Sequence, residues 1–133
     1  RIFVDPDNWD ENFTDQWQTQ VLRQAQRYPD LPISNNVKGV VSLYDVTDDW
    51  IPIYDKSDLP GFYMAIGTSG NQFKNAPVAG VLMSELIEYC ENGNNHDKEP
   101  LKINLKYINK DINLKFYSRN RQINEESSMS VLG

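Results

Sequence analysis

The stretch FYMAIGTSGNQFKNAPVAGVLMSELIEYCENG, residues 62–93, decides how this chain is read. Residues 62–67, FYMAIG, form a short, nearly continuous apolar run, the pattern of a strand covered on both faces. A second helical pattern runs from about Asn71 to Glu91, with Phe73, Ala76, Ala79, Leu82 or Met83, Leu86 and Ile87 on its apolar stripe. Glu85, Glu88 and Glu91 mark its wet side. Pro77 requires that the helix begin within a few residues of Lys74, because only a first turn tolerates the missing N–H. Gly93 offers a left-handed cap at its end. Between strand and helix lies GTSG, residues 67–70. Such a bend is either plain punctuation or a cradle for an anion or electron-rich carbonyl at a helix start, where N–H groups lack partners. It is neither a phosphate-binding P-loop nor a G-x-G-x-x-G fingerprint.

Working outward, RIFVD (1–5) predicts a short strand ended by Pro6, and the residues after it an amphipathic helix. Phe13, Trp17, Val21, Ala25 and Tyr28 form its apolar face, with Asp10 or Asn12 as cap and Pro29 as stop. VKGVVSLYDV (37–46) predicts a strand, Asp48-Asp49 a turn, WIPIYD an extended segment around Pro52, and KSDLPG (56–61) a turn cluster. LKINLKY (101–107) and INLKFY (112–117) alternate as a hairpin around the turn NKD, placing Leu101, Ile103, Leu105, Ile112, Leu114 and Phe116 on one face. The end of the chain is polar and aperiodic, a tail or a strip expected to pack on something absent from this chain. The expected class is α+β, with two main helices on a mostly antiparallel sheet plus a C-terminal hairpin.

The 133 residues suit one domain. A net charge of −6 and scattered basic residues, Arg119 and Arg121 being the tightest pair, argue against nucleic-acid binding. No run approaches the roughly 20 apolar residues of a membrane span. The lone Cys90 excludes an internal disulfide, fits a reducing, cytoplasmic setting, and is expected to be an inert packed thiol. His96 with Asp97 and Glu99 falls short of a metal site and is expected in a solvated loop. Ser69 has only His96 as a conceivable base, so a hydrolase triad lacks support. Asp45, Asp48 and Asp49 suit either acid–base work or turn chemistry. Trp9, Trp17 and Trp50 are expected to be core residues rather than cofactor stackers.

Two motifs together carry a family resemblance. YDVTDDWIPIYD and LPGFYMAIGTSGNQFKNAPVAGVLMSELIE resemble the C-terminal part of FAD-dependent amine and amino-acid oxidoreductases, the group of sarcosine oxidase, glycine oxidase and D-amino-acid oxidase. Tyr44, Asp45, Thr47, Asp49, Pro52 and Ile53 match one family pattern. Gly61, Phe62, Tyr63, Ala65, Gly67, Ser69, Gly70, Phe73, Lys74, Ala76 and Pro77 match the other. The resemblance is strong over about residues 37–91. Asp48 stands where the family has proline, Asn71 where it has histidine, and Gln72 where it has a second glycine.

The resemblance implies that Gly67, Thr68, Ser69, Gly70, Asn71, Gln72 and Phe73 lie against the pyrimidine edge of FAD. Lys74 then binds the carboxylate of a small amine or amino-acid substrate that loses hydride to the flavin. It assigns no catalytic residue and no metal. It implies that residues 1–60 belong to a substrate-domain-like part, 61–93 to the FAD domain, and 94–133 to a hairpin and tail. No dinucleotide fingerprint occurs here, and the chain opens without an initiator methionine. The chain is therefore expected to be a C-terminal portion, inactive alone and unable to hold FAD tightly. The alternatives are a non-catalytic docking module that pairs with a separate FAD-binding chain, and an autonomous binder that uses GTSG for an anion.

Overall fold

In the first part of the chain, local hydrogen bonds decide where the helix starts. The computed structural model describes residues 3–34 and 36–129, and the chain divides into two compact units, 1–43 and 44–133. Helix α1 spans Asp15–Ala25. Its cap is Thr14, whose Oγ1 accepts the Trp17 N–H at 3.1 Å. Asp10 and Asn12, the expected caps, satisfy each other instead: Asp10 Oδ1 accepts both the backbone and side-chain N–H of Asn12 at 2.9 Å. The helix ends before Tyr28, and none of its side chains is buried. Phe13 packs on Trp17 with ring centroids 4.9 Å apart. Gly39 lets the Trp17 ring approach closely, since a Cβ there would lie 2.5 Å from it.

The expected strand at 1–5 lies partly outside the described residues. From Phe3 onward there is only an isolated bridge between Asp5 and Asn8. The strand expected over 37–46 is absent: these residues are irregular, and Val40 is 91% exposed. Strand propensity measures fit to a packed, hydrogen-bonded surface, and no strand among the described residues supplies one here.

In the second unit, β1 (Ile53–Lys56) follows Pro52 and pairs antiparallel with β2 (Tyr63–Ile66), Ile53 facing Ile66 and Lys56 facing Tyr63. The KSDLPG turn closes this hairpin, with Ser57 N–H donating to Phe62 O at 2.8 Å. Strand β2 is not covered on both faces as expected: none of its residues is buried, and Ile66 is exposed.

The chain then bends into a 3₁₀ turn, Gln72–Asn75, and helix α2, Ala76–Glu91. Pro77 sits in the first turn of α2, and Gly93 takes φ +87° just past its end, both as the sequence requires. Leu82 and Leu86, four residues apart, are the buried positions of α2. Phe73, expected on that stripe, is 97% exposed, because it lies in the 3₁₀ turn rather than in the helix.

The second hairpin pairs β3 (Lys102–Leu105) with β4 (Lys110–Asn113), Ile103 facing Ile112. Its turn is Lys106–Asn109 rather than NKD, and Asn109 takes φ +47°. Leu114 and Phe116 leave the strand for a 3₁₀ turn, Leu114–Tyr117, started by Asn113 Oδ1 accepting the Lys115 N–H at 2.9 Å. That change of geometry buries Leu114 completely and leaves Phe116 exposed.

The core is Tyr54, Leu82, Leu86, Ile103 and Leu114, with Cys90 packed at its margin. Each buried leucine contributes about 1.5–3 kcal/mol. The class is α+β, as expected, but the sheet is two separate two-stranded ones. No helix among the described residues is long and apolar enough to cross a membrane.

Candidate functional site

The GTSG bend is an unusual piece of backbone. Gly67, Ser69 and Gly70 take φ of +71°, +50° and +75°. Glycine adopts such angles freely, whereas Ser69 is strained there, by roughly 1–3 kcal/mol for residues of this kind. The strain is held from 22 residues upstream. The Asp45 carboxylate accepts the N–H of Gly67, the N–H of Thr68 at 3.0 Å and the Thr68 hydroxyl at 2.6 Å. Asp45 O accepts the Ser69 N–H at 2.9 Å. Burial acts to raise the Asp45 pKa, but the hydrogen bonds from Thr68 and Gly67 outweigh it and hold the carboxyl below its ordinary value.

The two sequence motifs therefore meet in space. The Tyr44 ring lies 3.4 Å from where a Cβ on Gly70 would sit, and the Thr47 methyl occupies the place of one on Gly67. Thr47 Oγ1 donates to Ile51 O at 2.8 Å, tying the first motif to itself. The sequence reads Asp45 as a turn or acid–base residue and as part of the first motif, but nothing in its spacing shows that it binds the second.

Of the predicted site residues, Gly67, Thr68 and Ser69 have their backbone N–H groups engaged by Asp45. Gly70 is exposed, and Asn71 donates its N–H to Thr68 O at 3.1 Å. Gln72 is held by its side chain: the Tyr54 hydroxyl donates to Gln72 Oε1 at 2.7 Å, and Gln72 Nε2 donates to Asn71 Oδ1 at 2.5 Å. Phe73 and Lys74 are exposed in the turn that opens into α2. The predicted residues are consecutive, so their proximity follows from the chain itself. The structure adds Asp45 and Tyr54, which spacing alone did not reveal.

The other titratable candidates are structural. Asp49 is buried and paired with Arg121, which holds its carboxyl well below the usual range; burial opposes this, and the N–H groups of Ile51 and Asn124 add to it. Asp55 is fully buried and accepts from the Ser118 hydroxyl at 3.0 Å, the Arg119 N–H at 2.8 Å and Arg119 Nη1 at 3.2 Å. The polar strip 118–124 is therefore no loose tail; it packs on the chain's own buried acids. Arg119 also reaches Asp97 and Asp58, and Asp97 is held down to about 2 by Arg119 and Lys56.

His96, expected in a solvated loop, is buried. Its Nδ1 accepts the Leu101 N–H at 3.2 Å, and its Nε2 has no hydrogen-bond partner and lies 3.8 Å from Asp55 Oδ1. The polar spacing of NNHDKE gave no sign that the loop folds back over Asp55. Burial pushes the His96 pKa down, against the pull of Asp55 and Asp97. Burial likewise pushes the Cys90 thiol up, which fits an inert thiol. No group of three or more His, Cys, Asp or Glu among the described residues can hold a metal ion.

A bend of this form can present a fixed edge of polar backbone to a ligand, with a lysine one step beyond it. No family model, curated protein or solved structure matches the chain.

Proposed function

We propose that the chain is the C-terminal portion of an FAD-dependent oxidoreductase that oxidises a small amine or amino acid. The observation that carries this reading is the strained bend Gly67–Gly70 clamped by Asp45 from the other family-like motif. Backbone strain held in place by distant residues is characteristic of ligand-facing loops.

The fit to a flavin edge is specific about which atoms serve. Gly67, Thr68 and Ser69 already give their N–H groups to Asp45, so they act as scaffold. The edge itself falls to Gln72 and Phe73, which open the 3₁₀ turn that leads into α2. When bound, flavin supplies the hydride acceptor. The chain's residues orient its pyrimidine edge and, through the helix start, favour negative charge there by about 0.3–2 kcal/mol. Lys74, exposed beside that turn, is placed to bind the substrate carboxylate.

The test is to isolate the product of the complete reading frame that contains these residues. The expected result is a visible flavin absorbance that bleaches on anaerobic mixing with small amines or amino acids. A colourless product that takes up no FAD overturns the reading.

A second reading, a non-catalytic module docked on a separate FAD-binding chain, is favoured by exposed apolar side chains on α2, on β2 and just before it. Phe62, Ile66, Val78 and Val81 are all exposed and call for cover. Co-purification of a flavoprotein with a colourless chain distinguishes it from the first.

A further inference from the structure

Beside the bend lies a cleft of about 420 Å³. That is within the roughly 300–1,000 Å³ of small-molecule sites. Its chemistry is unlike the rest of the chain. Charged residues make up 24% of the sequence, yet among the described residues no Asp, Glu, Lys, Arg or His lines this cleft. A neighbouring cleft of about 390 Å³ shows the contrast, being lined by Asp45, Asp48, Asp49, Arg119 and Arg121.

The uncharged cleft has aromatic walls, with the Tyr54 and Tyr117 ring centroids 5.0 Å apart and Phe116 edge-on to Tyr117. Its rim carries the amides of Asn71, Gln72 and Asn75. Gln72 is spent on Tyr54 and Asn71. Asn71 Nδ2 and Asn75 Oδ1 have no protein hydrogen bond among the described residues, which leaves both amide donors and an amide acceptor at the rim.

We propose that this cleft is a binding site for a flat, neutral aromatic group bearing an amide-like donor–acceptor pair. The walls offer aromatic and aliphatic surface for apolar contact, and the rim offers polar amide partners. A charged ligand of the same shape has no counter-ion in the cleft, and burying an unpaired charge is strongly unfavourable. The inference needs no bound cofactor, although the cleft shares Asn71 and Gln72 with the bend proposed to face the flavin.

The test uses the full chain, ¹⁵N-labelled, titrated with three probes of equal size: benzamide, benzoate and benzylamine. Benzamide is expected to give saturable shifts centred on the Trp50 indole and the side-chain amides of Asn71, Gln72 and Asn75. The two charged probes should bind at least about tenfold more weakly, a difference of roughly 1.4 kcal/mol. Val78→Arg, at an exposed wall position, should weaken benzamide by about tenfold or more. Asn75→Asp, at the cap of α2 where an acid favours the helix, should reverse the preference toward benzylamine. That variant keeps the test decisive if Val78→Arg does not fold. Shifts that do not saturate or lie outside the cleft overturn the proposal. So does a charged probe binding as well as benzamide to the native chain, or both variants behaving like it. Flavin content of the complete protein has no bearing on these outcomes.

Discussion

Asp49 and Arg121, 72 residues apart in sequence, form a fork-on-carboxylate pair: Nη2 lies 2.6 Å from Oδ1 and Nε 3.0 Å from Oδ2. The same guanidinium also donates to Ile51 O at 2.7 Å and to Ser118 O at 3.1 Å. One side chain from the polar strip thus fastens the turn before β1.

Arg121→Ala leaves the Asp49 carboxylate buried and short of its counter-charge. The expected loss is about 3–5 kcal/mol by chemical denaturation. Arg121→Lys should recover only part of it, because an ammonium cannot reproduce the two-pronged geometry. A loss below about 1 kcal/mol, the range of exposed ion pairs, means that the pair is not the fastening described.

Asp45→Ala removes the acceptor for two backbone N–H groups of the bend. Charge-assisted hydrogen bonds of this kind contribute about 1.5–3 kcal/mol. Amide exchange at Gly67 and Thr68 should quicken roughly tenfold or more, while exchange in α2 changes little. Unaltered exchange at these two amides refutes the clamp.

The acid response should come in two stages. His96 is buried and its folded-state pKa lies below the unfolded value of 6.5, so the unfolded chain takes up its proton first. The groups facing it are Asp55, Asp97, Lys56 and Arg119. Stability attached to His96 is present above about pH 6.5 and declines below it, by at most about 1.4 kcal/mol per pH unit. Asp97, depressed to about 2, contributes stability present above 3.8 and lost as pH falls toward 2. Denaturation curves of His96→Phe should lack the first stage and keep the second. If the variant declines between pH 7 and 5 as steeply as the native chain, His96 is not the responsible group.

Lys74→Ala, made in the complete protein, should raise KM for a carboxylate-bearing substrate and leave flavin content unchanged. It should also leave stability within about 0.5 kcal/mol, as for an exposed position. An unchanged KM rules Lys74 out as the carboxylate anchor.

Much of the local architecture follows from short-range chemistry. Pro77 and Gly93 bracket α2, the Leu82/Leu86 spacing marks its buried side, and the alternation around Ile103 and Ile112 makes a hairpin, because each feature depends on residues within a turn or two. The amino acids at 67–74 likewise announce a bend into a helix. What the bend is fastened to was not legible, since Asp45 and Tyr54 reach it across 22 and 18 residues and no local period records such a contact.

The same limit explains the misreadings. VKGVVSLYDV has strand-forming residues but no partner edge, and Phe73 fits a helical stripe but falls in the turn before it. His96 and the strip 118–124 look solvated until Asp55 and Asp49 are seen buried beneath them. Sequence alone determined the elements whose hydrogen bonds and apolar faces are nearest-neighbour matters. Tertiary structure alone decided which buried charges meet, because a carboxylate out of water must find its donors wherever in the chain they lie.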